Sequence, residues 1–300
     1  MTNGESMKEK SILLAIILGL LTSAQAQTDY VKTIEKWRSD EEADLKKETG
    51  WLTVAGLFWL KEGINTIGAG RDFDVRLTDN FKQKKFGEID FKNGGATLKV
   101  ESGVEALGDG NRISTAIDLG SDEKGKPTQI RTGSQTFFLI RREERFGIRL
   151  KDSQSKARLA FKGTHWFPID ETYRVTARFE ASPEAKELMV PNVLGGFFKM
   201  KSPGILKFTF KGKEHSLQPV DEGDGALFII FRDASNLNET YSAGRFLYAD
   251  KPVNGEAVLD FNKAQNPPCA FTSFATCPLP PPQNNLDVEI KAGEKRYGDH

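Results

Sequence analysis

The sequence predicts a mostly β protein: an N-terminal helix, then antiparallel β-sandwich or barrel-like units, then an irregular proline-rich C-terminal segment. Three observations carry this expectation. Short β-branched and aromatic runs recur every ten or so residues from Trp51 onward, separated by Gly, Asp, Asn and Lys. Only the stretch before them places apolar residues at helical spacing. After Phe261 the regular pattern stops and prolines take over.

The helix is expected to open at Thr28 or Asp29 as a cap and to run through Val31, Ile34, Trp37 and Leu45, with Gly50 where a C-terminal glycine stop belongs. Strands are expected over 86–91, 96–100, 135–140, 173–179, 205–210 and 226–231. Alternation in Arg174-Val175-Thr176-Ala177-Arg178-Phe179 and in Leu206-Lys207-Phe208-Thr209-Phe210 suits half-buried strands, whose successive side chains face opposite sides. Strands at regular spacing without helices between them favour antiparallel sandwiches or barrels. The prolines of 267–268 and 278–282 cannot donate to a ladder and favour an extended surface path. With a boundary near 155–170, the chain divides into a leader over 1–26, a helix over 27–50, a β-sandwich over 51–157 and a second β unit with its tail over 158–300.

The leader reading rests on Lys8 and Lys10, the apolar run Ile12 to Leu21, and the small residues Ala24 and Ala26. This order is that of a secretory signal cleaved after Ala26. About ten helical residues span roughly 15 Å, half of a ~30 Å hydrocarbon core. The expectation is a periplasmic or secreted protein with no membrane span after signal cleavage. The 42 basic and 42 acidic residues balance, and no long basic block exists, so nucleic acid is not an expected partner. Hydrophobic content of 38% with 21 phenylalanines is enough for a core, which excludes disorder of the whole chain.

Cys269 and Cys277 are the only cysteines, and in an oxidising compartment the pair reads as a disulfide, with a redox-active or metal-binding pair as alternatives. His165, His215 and His300 have no metal-ligand spacing. There is no G-x-S-x-G elbow, and Gly68-Ala69-Gly70 before Arg71 lacks the third glycine of a nucleotide loop. No metal and no cofactor is expected.

Two family resemblances follow from longer words. Glu62 to Gly68, Arg71 and Val75-Arg76-Leu77, with the later Gly133 to Phe138 and Gly147 to Asp152, resemble a forkhead-associated β-sandwich. Such domains bind phosphothreonine through loop Ser and Arg side chains. Here the matching loop, Lys82 to Gly87, has neither Ser nor His, so the resemblance implies the sandwich and not phosphopeptide binding. The second set comprises Gly50 to Leu60, Trp166-Phe167-Pro168-Ile169-Asp170, Tyr173-Arg174-Val175, Thr240-Tyr241 and Gly244-Arg245-Phe246-Leu247. It continues with Asp260-Phe261-Asn262, Asn266 to Phe271, Cys277 to Pro281 and Ala292 to Lys295. These resemble a family catalogued as domain of unknown function sixteen eighty-four, which implies no assigned activity. Gln265 departs from its more usual aromatic residue.

The late segment carries the candidate ligand site: Tyr241, Arg245, Asp260, Asn262, Asn266, Asn285, Glu294 and Lys295. Arg245 would clamp an anionic group, Asp and Asn side chains would orient it, and Asp260 with Glu294 would supply an acid–base pair. The same residue types also cap backbone groups of an irregular tail without any ligand. The function expected is binding of a small polar or anionic molecule in a pocket of the C-terminal half. The alternatives are a non-catalytic envelope protein-interaction module and a hydrolase with an Asp or Glu base.

Overall fold

The computed structural model describes residues 27–221, 223 and 225–298; the leader over 1–26 and His300 lie outside the described residues. Helix α1 covers 27–46. One stripe of it, Tyr30, Ile34, Arg38 and Glu42, repeats every fourth residue and so lies along one face. Ile34 is fully buried. Its three polar neighbours each reach into the body of the protein: Tyr30 OH donates to Asp260, Arg38 Nη1 to the Phe167 carbonyl, and Glu42 Oε1 accepts from Thr164 and Trp166. Gly50 is not a left-handed helix stop, since its φ is −70°. It is glycine because a Cβ there would overlap the Leu45 and Asp44 carbonyl oxygens as the chain turns back.

Eleven strands follow: β1 Val54–Trp59, β2 Gly63–Ala69, β3 Val75–Leu77, β4 Lys85–Lys92, β5 Gly95–Val100, β6 Leu107–Gly108, β7 Asn111–Arg112, β8 Ala116–Asp118, β9 Ile130–Thr132, β10 Gln135–Arg142 and β11 Arg145–Asp152. They form a six-stranded sheet, β1-β11-β10-β9-β6-β7, and a five-stranded sheet, β3-β2-β4-β5-β8. Inward residues of both sheets, among them Ile67, Phe86, Leu98, Ile130, Phe137 and Leu150, share one core. The β2–β3 pair is parallel, the exception to an otherwise antiparallel arrangement.

The short helix α2, Lys156–Ala160, follows β11. Beyond it lie β12 Arg174–Pro191, β13 Phe197–Phe210, β14 Lys213–Leu217, β15 Val220–Asp221, β16 Leu227–Phe231, β17 Arg245–Ala249 and β18 Glu256–Asp260. The sheets β14-β13-β12-β18 and β15-β16-β17 pack around Leu206, Phe208, Phe231, Leu247, Leu259 and Phe261. None of the sheets closes into a barrel. β12 and β13 run well past the expected 173–179 and 205–210, because the ladder resumes beyond an irregularity between Ala181 and Lys186 and pairs Lys186–Pro191 with Phe197–Ser202. Pro183 and Pro203 fall at that irregularity, where the lost amide donors interrupt no paired residue.

The tail after Phe261 is fixed by buried polar side chains instead of a ladder. Asn284 accepts from the Gln218 N–H and donates to the Gln218 and Ile230 carbonyls. Arg245, fully buried on β17, donates to Asp233 at 2.8 Å and to the carbonyls of Ile290 and Ala292. Asp233 in turn accepts from the Ile290 and Ser235 N–H groups. Arg245 is thus consumed by the protein itself and is not the ligand clamp the sequence suggested.

Asp233→Ala should destabilise the protein by about 3–5 kcal/mol in urea denaturation, because it leaves a buried guanidinium uncompensated. The charge-free pair Asp233→Leu with Arg245→Met should lose clearly less than the single variant. Equal losses would show that packing, and not the stranded charge, sets the cost.

Candidate functional site

A cavity of about 770 Å³ opens where α1, the β10–β11 pair, the β12–β13 hairpin, the β16–β17 pair and the tail meet. Trp51, Phe198, Phe228, Phe246 and Tyr248 give it an aromatic wall. Phe228 stacks on Tyr248 at 4.8 Å and takes the edge of Phe246 at 4.9 Å, so the wall is a packed cluster.

Arg142 and Arg149 line another side. They reach it by strand alternation: Arg149 sits on β11 between buried Ile148 and Leu150, on the face away from the sandwich core. Thr276 Oγ1 accepts from both guanidiniums, at 3.0 Å from Arg142 Nε and 3.1 Å from Arg149 Nη2. The two nitrogens that share this oxygen are at most about 6 Å apart, so the two guanidinium charges repel. Arg142 is relieved by an ion pair with Asp122 at 2.8 Å. Arg149, 5% exposed, has no ion-pair partner among the described residues, and its Nε makes no hydrogen bond. Burial, then the Arg142 charge, pull its guanidinium down to about 10. It is still a cation at neutral pH.

The acidic side is built by α1 and the tail. Glu42 Oε1 accepts from the Thr164 N–H, the Thr164 hydroxyl and Trp166 Nε1 at 2.9–3.1 Å. Burial alone would raise this carboxyl, but the Trp166 and Thr164 hydrogen bonds outweigh it and hold it below the usual range. Glu294 follows Gly293, whose φ of +79° and contact with the Ala264 and Phe261 carbonyls leave no room for a side chain. This turn sends Glu294 inward, 3% exposed, where Oε2 accepts from the Asn266 N–H at 2.7 Å and Oε1 has no partner. Burial, reinforced by the charge of Glu42, pushes its carboxyl up to about 8. Asn266 Oδ1 is likewise buried without a partner. Three unpartnered buried polar atoms therefore belong to residues lining one cavity: Arg149 Nε, Asn266 Oδ1 and Glu294 Oε1.

The eight residues singled out in the sequence do not meet at one point. Asn266 and Glu294 line this cavity. Asp260 and Asn262 do come together, through the turn Phe261–Lys263, but their partners are Tyr30 and the Asp170 backbone, and Asp260 borders a second cavity of about 580 Å³. Asn262 has its oxygen and amide committed to protein groups, as expected of a tail anchor. Arg245 is in the core. Tyr241 donates to the Cys269 carbonyl at 3.1 Å. Asn285 is exposed, and its neighbour Asn284 does the anchoring. Lys295 places its ammonium 4.8 Å over the Phe167 ring while its carbonyl accepts from Asn266 Nδ2.

The expected disulfide is not seen: Cys269 and Cys277 are both free. The Cys277 sulfur accepts from the Cys269 backbone N–H at 3.1 Å instead of meeting the Cys269 sulfur at bonding distance. The described residues contain no group of three or more His, Cys, Asp or Glu placed to hold a metal, and no described helix is long and apolar enough to cross a membrane.

Arg149, Arg142 and Glu42 were missed in the sequence. A charged residue between Ile148 and Leu150 was the available signal for Arg149. Glu42 lies on a stripe whose polar members hide it from a search for apolar periodicity.

Residues 159–295 match the family described as "Protein of unknown function (DUF1684)". The match takes in Trp166, Arg245, Asn266 and Glu294 and leaves α1 and the Gly50–Leu60 stretch outside. Two solved structures are similar over part of the chain. The solution NMR structure of an uncharacterized protein of Haloarcula marismortui is 28% identical, covering 48% of this chain and 81% of its own, with a TM-score of 0.40. The Rv0020c FHA structure is 21% identical, covering 32% of this chain and 94% of its own, with a TM-score of 0.22. At these TM-scores neither likeness carries a function or a fold across. No curated protein matches.

Glu294 makes a stability prediction. A carboxyl raised to about 8 in the fold adds no penalty below its ordinary value near 4.5, and its contribution is lost as pH rises from there through about 8. Glu294→Gln should remove this part of the pH dependence, so that wild type loses ground to the variant between these limits in thermal unfolding. Parallel curves would place the group's titration at its ordinary value.

Proposed function

We propose that the protein binds a small organic anion in this cavity, with Arg149 as the anion's partner and the aromatic wall against its apolar body. The observation that supports this reading is the pair of guanidiniums converging on Thr276, of which Arg149 is buried and has no ion pair among the described residues. A buried cation without an ion pair is costly, and an anion arriving between the two guanidiniums would give Arg149 the anionic partner that Thr276 is not. A cavity of this volume with apolar walls and a few polar groups suits a compact organic ligand. The cavity draws on both halves of the chain, not on the C-terminal half alone. If the leader acts as its sequence suggests, the site would meet solutes of the periplasm or the exterior.

A second reading is hydrolysis in the same cavity. It is favoured by Glu42 held ionised beside Glu294 held protonated, the division of roles that a general base and a general acid require. Turnover of chromogenic carboxylate or phosphate esters that Glu42→Gln and Glu294→Gln both abolish would support it. Turnover unaffected by either, or none at all, would remove it.

Benzoate and phenyl phosphate serve as probes of the anion site by isothermal titration. Wild type should bind at least one of them, and Arg149→Met should weaken that binding by roughly tenfold or more, in the range of one charged hydrogen bond. The ligand-free variant should melt no lower than wild type, since the substitution removes an uncompensated charge. Equal affinity in the variant, or no binding by wild type, would overturn the reading.

A further inference from the structure

We propose that the ligand of this cavity is dipolar: its anion lies against Arg149, and its far end carries an ammonium or similar cation received by Glu294 and Glu42. This rests on the anion reading of the same cavity and adds the chemical class of the other end.

The charges on the cavity wall are segregated by element. The strands β10 and β11 supply Arg142 and Arg149, while α1 and the tail supply Glu41, Glu42, Asp44 and Glu294. The two groups do not neutralise one another. The ion pair of Arg142 goes to Asp122, on its own side, and Arg149 has none among the described residues. Lys47, which also lines the acidic side, is already paired with Asp44. Among the described residues no ion pair joins the two groups, although both line the one cavity.

The unfilled hydrogen-bonding capacity has the same polarity. On the basic side the open atom is Arg149 Nε, which can only donate. On the acidic side the open atoms are oxygens, Asn266 Oδ1 and Glu294 Oε1, both buried. An ammonium brings donors to these oxygens, that of Glu294 accepting once its proton has left, and a second anion brings none. Glu41, raised by burial and then by Asp44 and Asp40, adds to the negative crowding that a cation would relieve. Trp166, whose ring already carries the Arg38 guanidinium at 4.8 Å, stands beside these carboxylates. The aromatic residues line the same cavity and suit an apolar body. A molecule with an anion, an apolar body and an ammonium has the chemistry of an aromatic amino acid or a short peptide of apolar residues.

Proton linkage separates this class from a plain anion. The titratable and charged groups around Glu294 are Glu42 on α1, His165 in the segment that precedes β12, and Tyr297 and Lys295 in its own segment. With its carboxyl raised to about 8, Glu294 is protonated in the free protein at mildly acidic pH. A bound cation favours the carboxylate and expels that proton.

The test uses the full chain and the dipeptide phenylalanyl-phenylalanine, with its N-acetyl and C-amide forms as controls. Titration calorimetry is run at about pH 6.5, where an α-amino group is protonated, in two buffers of different ionisation enthalpy. The expected result is binding of the free dipeptide with release of up to one proton, and roughly tenfold or more weakening by either cap. Glu294→Gln should abolish the proton release and bring the free and N-acetyl forms to similar affinity. Glu42→Gln should weaken the free form selectively, which guards against a folding defect in the first variant. If the N-acetyl form binds as well as the free peptide and no proton is released, the dipolar class is wrong and the anion site stands. If the C-amide form binds as well as the acid, the anion site itself falls. No binding of any form at millimolar concentration overturns the dipolar proposal.

Discussion

The Arg245–Asp233 pair is the constraint on which the C-terminal third depends. The chain after Phe261 has almost no ladder of its own, so its backbone groups must find partners elsewhere or remain unpaired in the interior. One guanidinium takes the Ile290 and Ala292 carbonyls, and its counter-carboxylate takes the Ile290 N–H, so a short length of irregular chain is fixed at three points. Gly293 then turns and Glu294 enters the cavity. Backbone bonds of Glu294 to Ala264 and of Lys295 to His165 complete its placement. The ion pair is worth more as a positional device than as a source of stability, because desolvating both groups offsets much of their attraction.

Helix α1 does a related job from the other end of the chain. Its inner stripe uses a phenol, a guanidinium and a carboxylate, and each is matched by a buried or half-buried polar group on the segments it covers. Arg38 satisfies the Phe167 carbonyl and covers Trp166, while Glu42 gathers Thr164 and the Trp166 indole. At its far end the helix meets the first group of sheets, where Arg158 donates to the Lys46 carbonyl and Lys151 to that of Thr49. The helix therefore spans both groups of sheets and forms one side of the cavity between them.

The cavity departs from the rule that buried polar groups are paired. Elsewhere single buried atoms of Arg38, Asp90, His215 and Arg245 are also unpartnered, whereas Asn65, Asn192, Asn262 and Asn284 each make several hydrogen bonds to nearby backbone or side-chain groups. What sets Arg149, Asn266 and Glu294 apart is that their unpartnered atoms belong to residues lining one cavity. Sites of recognition tolerate local cost because the ligand repays it on binding.

The sequence by itself determined the parts that depend on local pattern. Runs of β-branched and aromatic residues placed the cores of β4, β5, β10 and β16, alternation supported β12 and β13, and helical spacing placed α1, because each pattern reports how an element meets the core. The breakdown of pattern after Phe261 marked the tail, and its polar residues marked it as held by side chains. Of the residues picked out, Asn266 and Glu294 line the larger cavity and Arg245 lies in the core. Only the tertiary structure decided between clamp and anchor, since both uses ask for the same residue type and differ only in which groups lie within about 3 Å. It alone revealed Arg149, Arg142 and Glu42, which lie on elements far apart in sequence and become neighbours of Glu294 through packing. The physical reason is that a fold class is written in the periodicity of burial along each element. A site is written in the distances between elements, and those are set by the packing of the whole chain.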